Sequence, residues 1–260
     1  MQRYKLTLEY DGSPFVGWQR QINGCSVQQI LENAIECYCG HKATAHAAGR
    51  TDAGVHACGQ VAHIDIARHD SPSTVRDALN AHMRPYPIAV LHAEAVDSCF
   101  HARFSARERA YIYRITSRRA PLVLDARRAW WIVQPLDAEA MHNAGQLLVG
   151  EHDFSSFRAT ACQAQSPIKT LDELRVTTQH TPDGLNTEIF VRARSFLHHQ
   201  VRNIAGTLML IGRRKWNAND LRAALNARDR QQGGPTAPAC GLYFMYAHYE
   251  DSLEIKNNYK

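Results

Sequence analysis

Ala48-Gly49-Arg50-Thr51-Asp52-Ala53-Gly54-Val55-His56-Ala57 places one carboxylate between two glycines, two residues after an arginine and four before a histidine. Flanking glycines permit positive φ and let the backbone come close to a ligand. Asp52 and Arg50 can then both face that ligand from a loop, where binding and catalytic side chains concentrate. A guanidinium a few ångströms away lowers a carboxyl pKa by roughly one to three units, and a cradled, ionised aspartate can act as nucleophile or base. Asp-Ala-Gly is also a common way to build a turn, with Arg50 solvated or salt-bridged beside it.

Outward from this stretch, strands and helices alternate. Residues 3–10 place Tyr4, Leu6, Leu8 and Tyr10 on one face and Arg3, Lys5, Thr7 and Glu9 on the other, the period of a half-buried strand ended by Asp11-Gly12. Ser26 with Gln29 gives a capping-box signal ahead of Val27, Ile30, Leu31, Ala34 and Ile35, one face of a helix that ends near Gly40. Strands are expected over 60–66 and 88–96 and a helix over 73–83, which leaves Asp52 on a loop before a strand. In the second half, the pattern predicts strands over 110–116, 171–177, 186–193 and 242–249 and helices over 137–149 and 195–211, with Thr181-Pro182-Asp183-Gly184 as a hairpin turn. The fold class is α+β, two related α/β lobes with mixed or antiparallel sheets flanked by helices, divided as 1–105 and 106–260.

Composition narrows the function classes. Of 260 residues, 45% are hydrophobic and 21% charged, as in a soluble globular chain. No apolar run approaches the ~20 residues of a membrane helix, and residues 1–5 lead into a strand rather than a signal peptide. Seven cysteines without a Cys-x-x-Cys pair argue against a disulfide framework and a zinc knuckle, so the expected location is cytoplasmic. Among 14 histidines, His198-His199 or His63 with His56 would be candidate metal ligands, but a compact ligand set at recognisable spacing is missing. Neither Gly-x-Gly-x-x-Gly nor a Walker-type loop is present, so no nucleotide cofactor is expected.

The net charge of +5 matters less than its placement. Arg103, Arg107, Arg109, Arg114, Arg118, Arg119, Arg127 and Arg128 face only Glu108 and Asp125 in the same segment, with Tyr111, Tyr113, Trp130 and Trp131 interleaved. Arginine forks suit phosphates and aromatic faces suit unstacked bases, so the segment reads as a nucleic-acid contact. The competing reading is a solvated arginine face with its aromatics in the core, favoured for Trp130 and Trp131. Charge alone does not separate RNA from DNA.

Gly49-Arg50-Thr51-Asp52-Ala53-Gly54-Val55-His56 resembles the signature of the TruA family of tRNA pseudouridine synthases. The resemblance continues through Tyr10-Asp11-Gly12, Phe15 with Gly17-Trp18-Gln19, residues 100–104, Tyr111-Ile112-Tyr113, residues 150–157, residues 195–204 and Gly241-Leu242-Tyr243. It implies a pseudouridine synthase fold with the active-site cleft between the lobes, and an isomerisation that breaks the bond from uracil N1 to ribose C1′ and joins C5 to C1′. By the same resemblance Asp52 is the catalytic nucleophile, through a ribosyl adduct or a glycal. Arg202 is its catalytic basic partner, Tyr111 binds the target base, and Arg50 fills space beside the flipped nucleotide. A buried Arg202 in a largely apolar helix also calls for an acidic partner on physical grounds.

The resemblance further implies a homodimer acting on uridines 38, 39 and 40 of the tRNA anticodon arm, without metal, redox or small-molecule cofactor. The chain departs from the family pattern at Ser166-Pro167-Ile168-Lys169-Thr170, where an Arg-Thr pair is more usual, and at Gln200, where methionine is frequent. Two other classes stay open: a non-catalytic RNA-binding or tRNA-folding protein, and a nucleic-acid glycosidase or phosphatase. Glycosidases use a second carboxylate, and none follows Asp52 before Asp65.

Overall fold

A computed structural model describes residues 1–250; residues 251–260, assigned above to the second lobe, lie outside the described residues. In chain order the elements are β1 (Gln2–Tyr10), α1 (Val27–Cys39), β2 (His46–Ala47), β3 (His56–Ile66), α2 (Pro72–His82), β4 (Ile88–Val96), β5 (Ala106–Ser117), β6 (Trp130–Ile132), α3 (Ala138–Gly145), β7 (Gly150–Asp153), β8 (Ile168–Thr181), β9 (Gly184–Ala193), α4 (Gln200–Gly212), α5 (Ala218–Ala227) and β10 (Leu242–Tyr249). The chain is α+β, and it forms two compact units: Met1–Arg109 with the segment from Tyr243, and Ala110–Leu242. The division falls four residues beyond the one expected at 105, and β10 belongs with the first unit. The reason is a long-range pairing that no local pattern carries: Tyr243 and Phe244 lie parallel to His56 and Ala57 of β3.

In the first unit the strand order is β4-β1-β3-β10, with β2 on β3. β1 is antiparallel to both neighbours, and the alternation read from sequence sets its register: Tyr4, Leu6, Leu8 and Tyr10 are all buried. α1 starts at Ser26, whose hydroxyl accepts from the Gln29 amide, and ends at Gly40, which takes φ 73. Of the expected capping box, this is the half contributed by Ser26. Val27, Ile30, Leu31, Ala34 and Ile35 are buried as one stripe, joined by Gln28.

The second unit has the order β5-β9-β8-β7, with β6 parallel to β5. The β8–β9 hairpin turns at Thr181↔Gly184 as its turn residues predict. Two expectations shift here, and one helix is added. α3 stops at Gly145 and tightens into a 3₁₀ turn over Gln146–Leu148. α4 begins at Gln200 rather than 195, because His199 takes the left-handed conformation (φ 63) and the Gln200 side chain accepts from the Leu197 amide. α5 was not anticipated; a reciprocal capping box between Asn217 and Asp220 starts it, and Leu221, Ala224 and Leu225 are buried.

His63 and His56, considered together as metal ligands, have separate neighbours. His56 Nδ1 accepts from the Gly12 amide (3.1 Å) and the ring stacks on Tyr243. His63 Nδ1 accepts from the Ala102 amide (3.1 Å), and its ring lies against His46 and His101. Burial, then the charges of His101, Arg3 and His46, hold the His63 pKa down at about 4. Unfolded histidine takes up its proton near pH 6.5. The neutral ring's contribution is therefore present above about pH 6.5 and lost as pH falls toward 4, reaching about 3 kcal/mol. Thermal melts between pH 7.5 and 5 are expected to show a falling Tm for the wild-type chain and a flatter dependence for His63→Gln.

Candidate active site

Asp52 lies half-buried in the loop between β2 and β3. Its backbone is fixed by close approach to residues 12–18. The Trp18 amide donates to the Thr51 carbonyl (3.0 Å), the Gly54 amide to the Phe15 carbonyl (3.4 Å), and Val55 to Asp52 itself (3.1 Å). A methyl group on Gly12 would sit 2.0 Å from the Val55 carbonyl oxygen, and one on Gly17 2.7 Å from that of Thr51. Of the two glycines flanking Asp52, Gly54 takes the left-handed conformation (φ 77), and Gly49 offers its carbonyl to Gln60 Nε2 (2.8 Å).

Side chains finish the clamp. The Tyr10 hydroxyl is 2.8 Å from Thr51 Oγ1, and burial pushes that phenol up to about 12, so it is protonated at neutral pH. Arg109, buried, reaches the Ala48 carbonyl with Nε (2.9 Å) and Nη2 (2.8 Å), and Nη2 also meets the Arg103 carbonyl (2.5 Å). Arg50, by contrast, is exposed and makes no side-chain hydrogen bond or ion pair to the described residues.

In the second unit, Tyr111 on β5 is buried, with its ring edge-on to Phe196 at 5.1 Å between centroids. Arg202 on α4 is half-buried; its Nε donates to the Ala237 carbonyl (2.8 Å), and its own carbonyl accepts from the Ala237 amide (3.1 Å). Tyr113, two residues beyond Tyr111, donates to Pro238 (2.7 Å), and burial first of all raises its pKa far above the ordinary tyrosine value. The 237–238 segment is thus pinned from both β5 and α4. Close packing extends this: a methyl on Gly206 would fall 1.7 Å from the Pro235 carbonyl oxygen. Buried Asn203 ties the segment to its surroundings by donating to Phe157 O (2.7 Å) and accepting from Thr236 (2.6 Å) and Arg230 (3.1 Å). Two of the motif blocks quoted above, 150–157 and 195–204, meet through this asparagine.

The structure therefore puts Asp52 and Arg50 on one loop of the first unit, and Tyr111 and Arg202 on β5 and α4 of the second. The family model described as "tRNA pseudouridine synthase" matches residues 7–105 and 144–250, which include Asp52 and the whole of α4. The chain belongs to the tRNA pseudouridine synthase family. Proteins named tRNA pseudouridine synthase A are similar along nearly the full length: 60% identical in Paramagnetospirillum magneticum (97% of each chain), 56% in Nitrobacter winogradskyi (99% of this chain, 100% of the relative) and 59% in Rhodospirillum centenum (96% and 100%).

Within this synthase chain, some residues that shape the site escaped the sequence reading. Arg109, counted there with the phosphate-facing arginines, is an internal brace. Its signal was the alternation of β5, where residues 109, 111, 113, 115 and 117 are all buried. Arg107 and Arg114 pair with Glu250 and Glu188, whereas Arg119 is exposed without a side-chain partner among the described residues. Both tryptophans were expected in the core; Trp130 is half-buried with its ring edge-on to Tyr113, and Trp131 is instead 39% exposed.

The glycine contacts give a stability prediction for the synthase. Gly54→Ala is expected to destabilise by about 1–2 kcal/mol through its left-handed backbone. Gly12→Ala should destabilise more, because its clash is with main chain; denaturant midpoints compared at fixed m-value provide the measurement.

Proposed function

We propose that this chain isomerises uridine to pseudouridine in tRNA, with Asp52 as the nucleophile at the ribose. The observation that carries the proposal is a carboxylate on a loop fixed by backbone contacts, within a chain of the tRNA pseudouridine synthase family. The N1–C1′ bond breaks and the C5–C1′ bond forms; the C5 proton is lost and N1 gains one, so the base changes its attachment without net gain or loss of atoms. Such a step needs the reacting groups held in position, since orientation can supply a large part of the barrier reduction. A fixed loop meets that need better than a mobile one.

Tyr111 is proposed to pack on the freed base while it turns. Its burial and its edge contact with Phe196 restrict the ring to one orientation. Arg202, oriented through Ala237, is proposed as the cationic counterpart of the reacting carboxylate. Arg50, exposed on the same loop as Asp52, is proposed to occupy the space left by an extracted nucleotide. The proposed targets are uridines 38, 39 and 40 of the anticodon arm, and the proposed working form is a cytoplasmic homodimer. Among the described residues no helix is long and apolar enough to cross a membrane.

Tritium release from tRNA labelled at uridine C5 tests the proposal. Asp52→Asn should abolish release while tRNA affinity stays within about threefold; release retained by the variant would remove Asp52 from the chemistry, and binding without release by the wild-type chain would favour the RNA-binding alternative. Affinity should also fall steeply with salt, because each neutralised phosphate releases condensed counterion; a flat dependence would argue against phosphate contacts by the exposed arginines.

A further inference from the structure

Phe104 is 72% exposed, although it sits on a loop with little freedom to move. The His101 amide donates to Ser105 Oγ (3.0 Å) and the Ser105 amide returns to His101 O (2.9 Å). His101 Nδ1 accepts from the Arg103 and Phe104 amides (3.1 and 3.4 Å). Ala102 is held at both ends, its amide by His63 and its carbonyl by the Tyr249 hydroxyl (2.7 Å). The Arg103 carbonyl takes its bond from Arg109, the side chain that also braces Ala48 at the start of the Asp52 loop.

On this frame the rings make a continuous aromatic surface. The His101 and Phe104 centroids are 4.4 Å apart at 35°, His46 lies 5.7 Å from His101, and the Arg103 guanidinium carbon stands 5.5 Å from the Phe104 centroid. Because the Nδ1 atoms of His101 and His63 accept main-chain amides, their ring protons lie on Nε2, which makes them donors and not metal ligands. Arg103 is exposed beside the Phe104 ring, while Asp65, two residues beyond His63 in β3, is held at both oxygens by Arg3 (2.8 and 2.7 Å). A held aromatic surface with a cationic edge fits an unpaired nucleobase and its phosphate. Because the loop is already fixed, little ordering opposes binding.

We propose that Phe104, His101 and Arg103 form an accessory platform on which an unpaired base of the tRNA, other than the target uridine, stacks. This rests on the tRNA reading of the previous section. Equilibrium binding of an unmodified tRNA transcript to wild type, Phe104→Ala and Phe104→Trp tests it, with circular-dichroism melts to verify that each variant is folded. Phe104→Ala should raise Kd by roughly 5- to 100-fold, the range for losing one base–aromatic stack, and Phe104→Trp should largely restore it. Arg103→Ala should lower the slope of log Kd against log salt by about one. Unchanged affinity in folded Phe104→Ala overturns the platform. Wild-type tritium release separates the two claims: an affinity loss in Phe104→Ala with no wild-type release supports the platform and refutes isomerisation, and normal release with no affinity loss does the reverse.

Discussion

The Asp52 loop and residues 12–18 approach each other more closely than any side-chain carbon at Gly12 or Gly17 would allow. The rest of the first unit's functional architecture follows from that constraint. Main chain packed on main chain can be held only if each polar group finds a partner. Trp18, Phe15, Tyr10 and Gln60 supply those partners. The result is a short irregular segment tied by main-chain and side-chain hydrogen bonds, carrying one half-buried carboxylate.

Arg109 extends the same logic. A buried guanidinium is unfavourable unless its donors are satisfied, and here they are met in part by two carbonyls from segments far apart in sequence, Ala48 and Arg103. One side chain thereby couples the entrance of the Asp52 loop to the loop that displays Phe104. The second unit uses a comparable device with a neutral residue: Asn203, buried on α4, joins the 155–157 turn to the 230–236 segment, beside the backbone that orients Arg202. In both units the residues expected to do chemistry are few, and the residues that hold them still are more numerous and better buried.

The α+β class was legible because β1, α1 and the β8–β9 hairpin are amphipathic or turn-marked within short windows, where period and glycine placement decide the outcome. The start of α4 was less so: Ser195 to His199 carry residues compatible with helix, and it is the left-handed His199 that delays it. The helix α5 was readable in Asn217-x-x-Asp220 and Leu221, Ala224 and Leu225, but four alanines among its ten residues left the stripe weak. Return of β10 to β3 depends on a contact across almost the whole sequence, and the interior role of Arg109 on carbonyls that sequence does not locate. Asp52 stood out because glycine and charge coincide in ten residues; Asn203 had no comparable mark.

The central claim is that a prearranged loop lets Asp52 drive a reaction needing nothing beyond the chain and its RNA. The most direct test is nucleoside analysis of a uridine-containing tRNA transcript after incubation with chelator-treated protein, comparing wild type with Asp52→Asn in the absence of metal and nucleotide. Conversion of anticodon-arm uridine to pseudouridine by the wild type and none by the variant is the predicted result. Equal conversion by both, or conversion by the wild type only after metal or nucleotide is added, would contradict it.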